Sequence, residues 1–500
     1  MNRMLFQDLV KGNYGRKVAY ADVSEITEEN ILDVLGSCIG VFNSNKTVIK
    51  YLWDYKKGDQ PALYRTKVVR DDVNNKIVEN HAWEIVRFKN GQTYGEPVQL
   101  VSLVKDDKIN QSVDKLNNYM RTAGKTTKDI NSGEWTSAVG TGFKAIQKTR
   151  SGSEVPFRIV APTPLDTFVI YSKSTEEALL AVQELKDSKG ERYFLCFSET
   201  HEYQVKNSKL LTLETKNDGT EVKSRLHAFG GIPIIEYPNN QDRLSDIELV
   251  ITMLDAINNM QSNRMDAIEQ FVQSWVKFVN CEVDETSFIN MKMLGALVVK
   301  SNNGSDNKAD VDIMTQELNQ TESQVAKEDL WNNVLSISAI PNKQSNTGGD
   351  TQGAVELRNG WDFSKQAAKL KDPYIIDSDR KLAMIALNII RIEKGKDDCP
   401  LGVMDFDVQI NHSPTDNMQV KAQVLQLLLS AGIHPLVAIK VCGLWGDSEK
   451  VYLLSKPYLD VLYKTIDSVI EEQNLNGQLE EAQKIISQMN INQQKQADVS

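Results

Sequence analysis

Apolar and polar positions along the chain change period several times, and each change marks an element. Up to about residue 125 the pattern is mainly helical with polar breaks. Val23 to Leu35 fits a short helix. Lys76 to Phe88 fits a better one, because Ile77, Ala82, Ile85 and Phe88 recur at helical spacing and Asn90-Gly91 supplies a stop signal. Ile109 to Met120 predicts another helix. From Phe157 to Tyr237 the pattern shifts to short runs rich in β-branched and aromatic residues (FRIVAP, TFVIYS, YFLCFS, HEYQV), separated by turn residues. That alternation predicts a β-rich region with hairpins, closed by Gly230-Gly231-Ile232-Pro233 and Pro238-Asn239-Asn240.

Beyond it a long amphipathic helix is expected over 244–273. Ile247, Ile251, Leu254, Ile257 and Ile268 form its apolar stripe, and Asp242 or Ser245 is its cap. At 1.5 Å per residue it would span roughly 45 Å, long for a small domain and suited to a strut. Strand-like WVKFVNCEV and ALVVKSNNGS interrupt the helices over 275–318. A second helix, about Thr321 to Ala339, ends at Ile340-Pro341. The stretch 342–353 (NKQSNTGGDTQG) reads as a flexible loop. A very long helical pattern follows from Ala354 to Ile392, with a kink or break at Asp372-Pro373. A strand over Val403 to Asn411 precedes Ser413-Pro414-Thr415. Compact helices are then expected at Asp416 to Ser430, at Pro435 to Cys442 and from near Asp447. From Ile466 the chain is rich in Gln, Asn and Glu, a composition compatible with a frayed helix or with disorder. The class implied is α+β, predominantly helical.

At 500 residues, more than one hydrophobic core is expected. The net charge of −11 changes the picture further. Proteins that coat nucleic acid present a basic face, so the balance disfavours gripping DNA and is compatible with letting it pass. Cys38, Cys196, Cys281, Cys399 and Cys442 are scattered and form no C-x-x-C, which argues against a disulfide framework or structural zinc. No apolar run approaches the roughly 20 residues of a membrane span, and the N-terminal stretch lacks the apolar region of a signal peptide.

Candidate chemistry is sparse. There is no G-x-x-x-x-G-K-[ST], no H-E-x-x-H and no G-x-S-x-G. Gly348, Gly349 and Gly353 follow a helix and a proline instead of a strand, so a flexible loop fits them better than a phosphate cradle. His81, His201, His227, His412 and His434 lack ligand spacing, and Asp71-Asp72, Asp397-Asp398 and Glu471-Glu472 read as solvated charge. No catalytic residue, metal site or cofactor is indicated.

Several blocks, in order, nevertheless resemble one family. Tyr55-Lys56-Lys57-Gly58-Asp59-Gln60-Pro61 is similar to a Y-x-x-G-x-Q-P segment. Asn75-Lys76-Ile77-Val78-Glu79-Asn80 leads through Val86-Arg87-Phe88-Lys89 to Gly95-Glu96-Pro97. Phe229 to Glu236, Pro238-Asn239-Asn240, Ser245 to Glu248 and Leu254-Asp255-Ala256-Ile257-Asn258 follow. Together they resemble the portal proteins (head-to-tail connectors) of siphovirus-type phages that infect Gram-positive bacteria.

That resemblance implies a portal fold with wing, stem, clip and crown regions. Residues 1–240 would be wing, 241–274 the first stem helix, 275–318 the clip and 319–341 the second stem helix. Residues 342–353 would be a tunnel loop, with Lys343, Gln344, Asn346, Gly348, Gly349, Asp350 and Gly353 facing DNA. Residues 354–412 would return to the wing, 413–465 would form the crown and 466–500 a polar tail. It further implies a non-enzymatic homo-oligomeric ring, commonly a dodecamer, at one capsid vertex of the virion, assembled in the host cytoplasm. Double-stranded DNA would pass through it in packaging and ejection. Terminase, scaffold and major capsid protein, and a head-completion adaptor would be its partners, with no membrane. The alternatives are a capsid or adaptor protein without a channel, and a metal-dependent nucleic-acid enzyme.

Overall fold

The computed structural model describes residues 5–68, 71–104, 106–150, 152–215, 220–272, 275–279, 281–282, 300–301, 310–314, 320–342, 360–412, 418–445 and 448–462. The chain mixes helices and sheets and divides into two compact units, Met1–His412 and Ser413–Ser500.

In the first unit the helices are α1 (Phe6–Val10), α2 (Ile31–Lys56), α3 (His81–Tyr94), α4 (Asp107–Thr122), α5 (Lys125–Val139), α6 (Ile251–Val272), α7 (Gln320–Ile337), α8 (Trp361–Lys369) and α9 (Asp372–Lys394). The larger sheet starts with Ala19–Ala21, parallel to Thr167–Ser172, and continues antiparallel through Ala178–Lys186, Arg192–Phe197, His201–Lys206 and Ser224–Leu226. A second sheet places Thr141–Lys148 between Ile234–Pro238 and Phe157–Val160. Phe406–Gln409 returns to pair with Gln99–Ser102. Apolar faces of α4, α9 and the second sheet meet in one core, which includes Leu116, Met120, Phe157, Leu382, Ile389 and Phe406. A second core joins α2, α3, α6 and α7 through Leu52, Tyr55, Ile85, Ile251, Leu254 and Val334. The second unit holds α10 (Met418–Ser430), α11 (Pro435–Cys442) and α12 (Ser448–Leu462). The αL residue Gly443 (φ 58°) terminates α11, as a C-cap glycine should.

Several expectations are corrected. The helix expected at Val23–Leu35 starts at Ile31 and runs on to Lys56, because Cys38, Phe42, Ile49 and Leu52 extend its buried stripe. Residues 74–80 form neither helix nor strand, so the helix expected from Lys76 starts only at His81, and Asn90-Gly91 lie inside it. Asn90 instead donates to the Ile130 carbonyl on α5. Within the pattern expected from Ala354 to Ile392 the described residues hold two helices: the break falls at Leu370-Lys371, and Pro373 occupies the first turn of α9, where its missing N–H is harmless.

Candidate functional site

Helices α6 and α7 flank two short ladders, Trp275–Val279 against Asp310–Met314 and Cys281–Glu282 against Lys300–Ser301. The two helices pack on each other. α6 does not start at residue 244 as expected; residues 246–250 are turns and the helix begins at Ile251. A capping box forms the entry. The Ser245 Oγ accepts from the Ile247 N–H at 3.2 Å while Glu248 Oε2 accepts from the Ser245 N–H at 3.1 Å. Glu248 also accepts from the Gly15 N–H and from Arg16 Nη2, at 2.9 Å and 2.5 Å. That ion pair is wholly buried, and burial pushes the Arg16 guanidinium down while Glu248 pulls it back up.

Along α6 runs a polar stripe, Asn258, Ser262 and Asp266. The Asn258 Oδ1 accepts from the Glu79 N–H, the Ser262 Oγ from the Ile77 N–H and the Asp266 Oδ1 from the Asn75 N–H, at 2.8, 3.0 and 2.6 Å. The match is geometric. Four helical residues rise about 6 Å, and two extended residues span about 6.6 Å, so alternate amides of an extended strand meet every fourth side chain of a helix. This explains why 75–79 is not helical: its N–H groups are satisfied by α6.

The Tyr55–Pro61 block closes on the same place. Tyr55 donates to Asp255 Oδ1 at 2.8 Å, and Gln60 Oε1 accepts from Asn258 Nδ2 at 2.5 Å. Gln60 Nε2 donates to the Tyr55 carbonyl and to Asn80 Oδ1, both at 3.1 Å, while Asn80 Nδ2 donates to the Lys56 carbonyl at 2.9 Å. Blocks far apart in sequence (55–61, 75–80 and 254–258) thus clasp one another at the root of α6.

Charge locks the clasp. Asp266 accepts from Arg65 and Lys67 at 3.0 and 2.5 Å. Its burial raises the carboxyl pKa, but the hydrogen bonds from Lys67 and Asn75 outweigh this and hold it below the ordinary range. Glu79 bridges to α7 by accepting from Lys327 at 2.5 Å. The hydrogen bond from His81, with help from Lys327, brings the Glu79 carboxyl down to about 2 against an opposing desolvation. His81 in turn stacks on Trp331 of α7, ring centres 4.0 Å apart.

The expected stripe divides in two. Ile247, Ile251, Leu254 and Ile257 are buried in the chain's own core, packed with residues of α2, α3 and α7. Ile268, 40% exposed, lies beyond that core. Lys343, Gln344, Asn346, Gly348, Gly349, Asp350 and Gly353 lie outside the described residues. No group of His, Cys, Asp or Glu among the described residues could hold a metal ion, and none of the described helices is long and apolar enough to cross a membrane. Sequence reasoning missed Asn258, Ser262 and Asp266 as a set. Their i, i+4, i+8 spacing on an otherwise amphipathic helix was the available signal.

The arrangement suits a mechanical part: a helix pair fastened to the body along α6 from Asp255 to Asp266 by many directional bonds. A search of curated proteins finds no match. A family model described as "Phage portal protein, SPP1 Gp6-like" matches residues 35–439, a span that contains all three clasped blocks and both helices. The chain therefore belongs to the SPP1 Gp6-like phage portal protein family.

Proposed function

We propose that this chain is one subunit of a closed ring, a dodecamer, at a single capsid vertex, and that double-stranded DNA enters and leaves through its bore. Membership of the portal family makes the chain a phage portal subunit for DNA packaging and a structural component instead of an enzyme. In this reading α6 and α7 are the stem, residues 275–318 are the clip, 342–353 line the tunnel and the unit from 413 contributes the crown. The single observation that supports it best is the clasp at the root of α6. A strut that meets a moving duplex has to transmit force without shearing from the body, and the ladder from Asn75, Ile77 and Glu79 onto Asp266, Ser262 and Asn258 resists that shear.

The net charge of −11 agrees with a bore that lets phosphate slide past. Terminase would dock during packaging and supply the energy of translocation, while scaffold and major capsid protein would set the ring at the vertex of a shell assembled in the host cytoplasm. A head-completion adaptor would replace terminase afterwards. Negative-stain electron microscopy of the purified chain, with mass from light scattering, tests this. Rings of uniform stoichiometry with a hole wide enough for duplex DNA are expected. A monomer or dimer at high concentration, or closed particles without a bore, would overturn it.

A further inference from the structure

The two faces of α3 carry different surfaces. At about 100° per residue, Trp83, Arg87, Asn90, Gly91 and Tyr94 share one face, and Phe88 and Gln92 share roughly the opposite one. The first face and α5 border a cleft of about 420 Å³. Its walls hold Trp83, 45% exposed with the Arg87 guanidinium 4.9 Å over its ring, and Ile130, 44% exposed. Its floor includes Gly91, where an added Cβ would meet nothing within 4 Å.

The opposite face of α3 is covered by α8. Phe88 packs against Trp361, and Gln92 Nε2 donates to the Ser364 carbonyl and hydroxyl at 3.0 and 3.1 Å. With Trp361, Ser364 and Ala368 turned inward, the outer face of α8 carries Phe363, and Leu370 at its C-cap continues that face. They stand seven residues apart, two helical turns, and are 61% and 76% exposed. An apolar edge therefore projects on one side of α3 and an apolar cleft opens on the other.

A ring of more than two copies needs this asymmetry. Its contacts are heterologous, so each subunit presents two different, complementary patches on opposite flanks. Isolated exposed apolar residues need no explanation, but a matched edge and cleft separated by one helix do. We propose that the Phe363–Leu370 edge of one copy seats in the Trp83–Ile130 cleft of the next copy around the ring. This rests on the ring reading given above. The seam would bury aromatic and branched side chains at its centre, with Arg87 and the Lys56–Glu134 ion pair at its rim.

Hydroxyl-radical footprinting of the unmodified chain, with rings and dilute unassembled chain compared, tests the seam directly. Trp83 and Phe363 are expected to lose reactivity several-fold on ring formation. Equal reactivity in the two states would overturn the seam while leaving the ring reading intact, and failure of the native chain to form rings at all would overturn both. A second experiment mixes Gly91→Cys copies with Phe363→Cys copies before assembly and oxidises them. A covalent dimer that neither variant alone produces is expected, and normal rings without that dimer would sink the proposal.

Discussion

Lys144 donates to Asp379 at 2.9 Å, across 235 residues of sequence, with both side chains fully shielded from solvent. Lys144 stands on the central strand of the smaller sheet and Asp379 on α9. Lys125 donates to both Asp129 and Asp379, at 2.6 and 2.7 Å, Lys144 also reaches Asp129, and the Tyr237 hydroxyl donates to Asp379 Oδ1 at 2.6 Å. Two ammonium groups thus face two carboxylates, and the buried charge balances. Desolvation pushes the Asp379 carboxyl up, but Lys125 and Lys144 overcome this and hold it well below the usual carboxylate range.

Asp379→Asn would leave two buried ammonium groups facing one carboxylate. Removing one partner from a buried ionic cluster costs about 3–5 kcal/mol, so urea denaturation should show a loss of that order. Replacement of the whole cluster by apolar residues of similar volume should cost much less. An Asn variant as stable as the native chain would mean the cluster is solvated in solution.

The Glu79 clamp sets an acid limit. Its pKa falls from 4.5 to about 2 on folding, so the unfolded chain binds the proton more readily. Its contribution is therefore complete above about pH 5 and is lost as pH falls towards 2. Glu79→Gln should lower the Tm at pH 7, and the gap to the native chain should close near pH 2. A gap that does not vary with pH would contradict the clamp.

Lys89 points the other way. Burial, with Asp246 opposing, takes its pKa from 10.5 to about 8, so between these values the unfolded chain holds the proton more tightly. The native state bears the full penalty below pH 8 and is relieved as pH rises to 10.5. Lys89→Met should stabilise the chain at pH 7 by on the order of 1 kcal/mol, and that advantage should vanish above the window. Differential scanning calorimetry across pH 7 to 11 reads this directly.

The α6 ladder predicts a local effect. Ser262→Ala leaves the Ile77 N–H without its acceptor, and such an orphan costs about 1–3 kcal/mol. Hydrogen exchange at Ile77 should accelerate far more than exchange in the larger sheet. Uniform acceleration would show that the ladder has no separate existence.

Gly140 links α5 to the central strand of the smaller sheet at φ 90°, and a Cβ there would sit 1.9 Å from the Arg243 carbonyl oxygen. Arg243 cannot move aside easily, because its guanidinium is held by both oxygens of Glu236, at 2.7 and 3.0 Å. Gly140→Ala should therefore destabilise by more than the roughly 1 kcal/mol of a simple backbone penalty. An unchanged melting curve would refute the close approach.

Period and punctuation were enough to place the helices Asp107–Thr122, Gln320–Ile337 and Pro435–Cys442 and the strands between Phe157 and Tyr237. In those segments the local pattern and the tertiary environment ask for the same thing. The order of the blocks from Tyr55 to Asn258 was legible as well and pointed to the portal family. What the sequence could not disclose is where local pattern and long-range partners disagree. Ile77, Ala82, Ile85 and Phe88 carry helical spacing, yet 75–79 is not helical because Asn258, Ser262 and Asp266 satisfy its amides from a helix that lies nearly two hundred residues away in the chain. Asn90-Gly91 carries a stop signal, yet α3 runs on because Asn90 finds the Ile130 carbonyl on α5. No pattern in the sequence links Lys125, Asp129, Lys144 and Asp379, and only packing makes them a buried, charge-balanced cluster. Hydrophobic period is a property of neighbours in sequence, whereas the satisfaction of buried amides and charges belongs to neighbours in space, and only the folded chain brings those together.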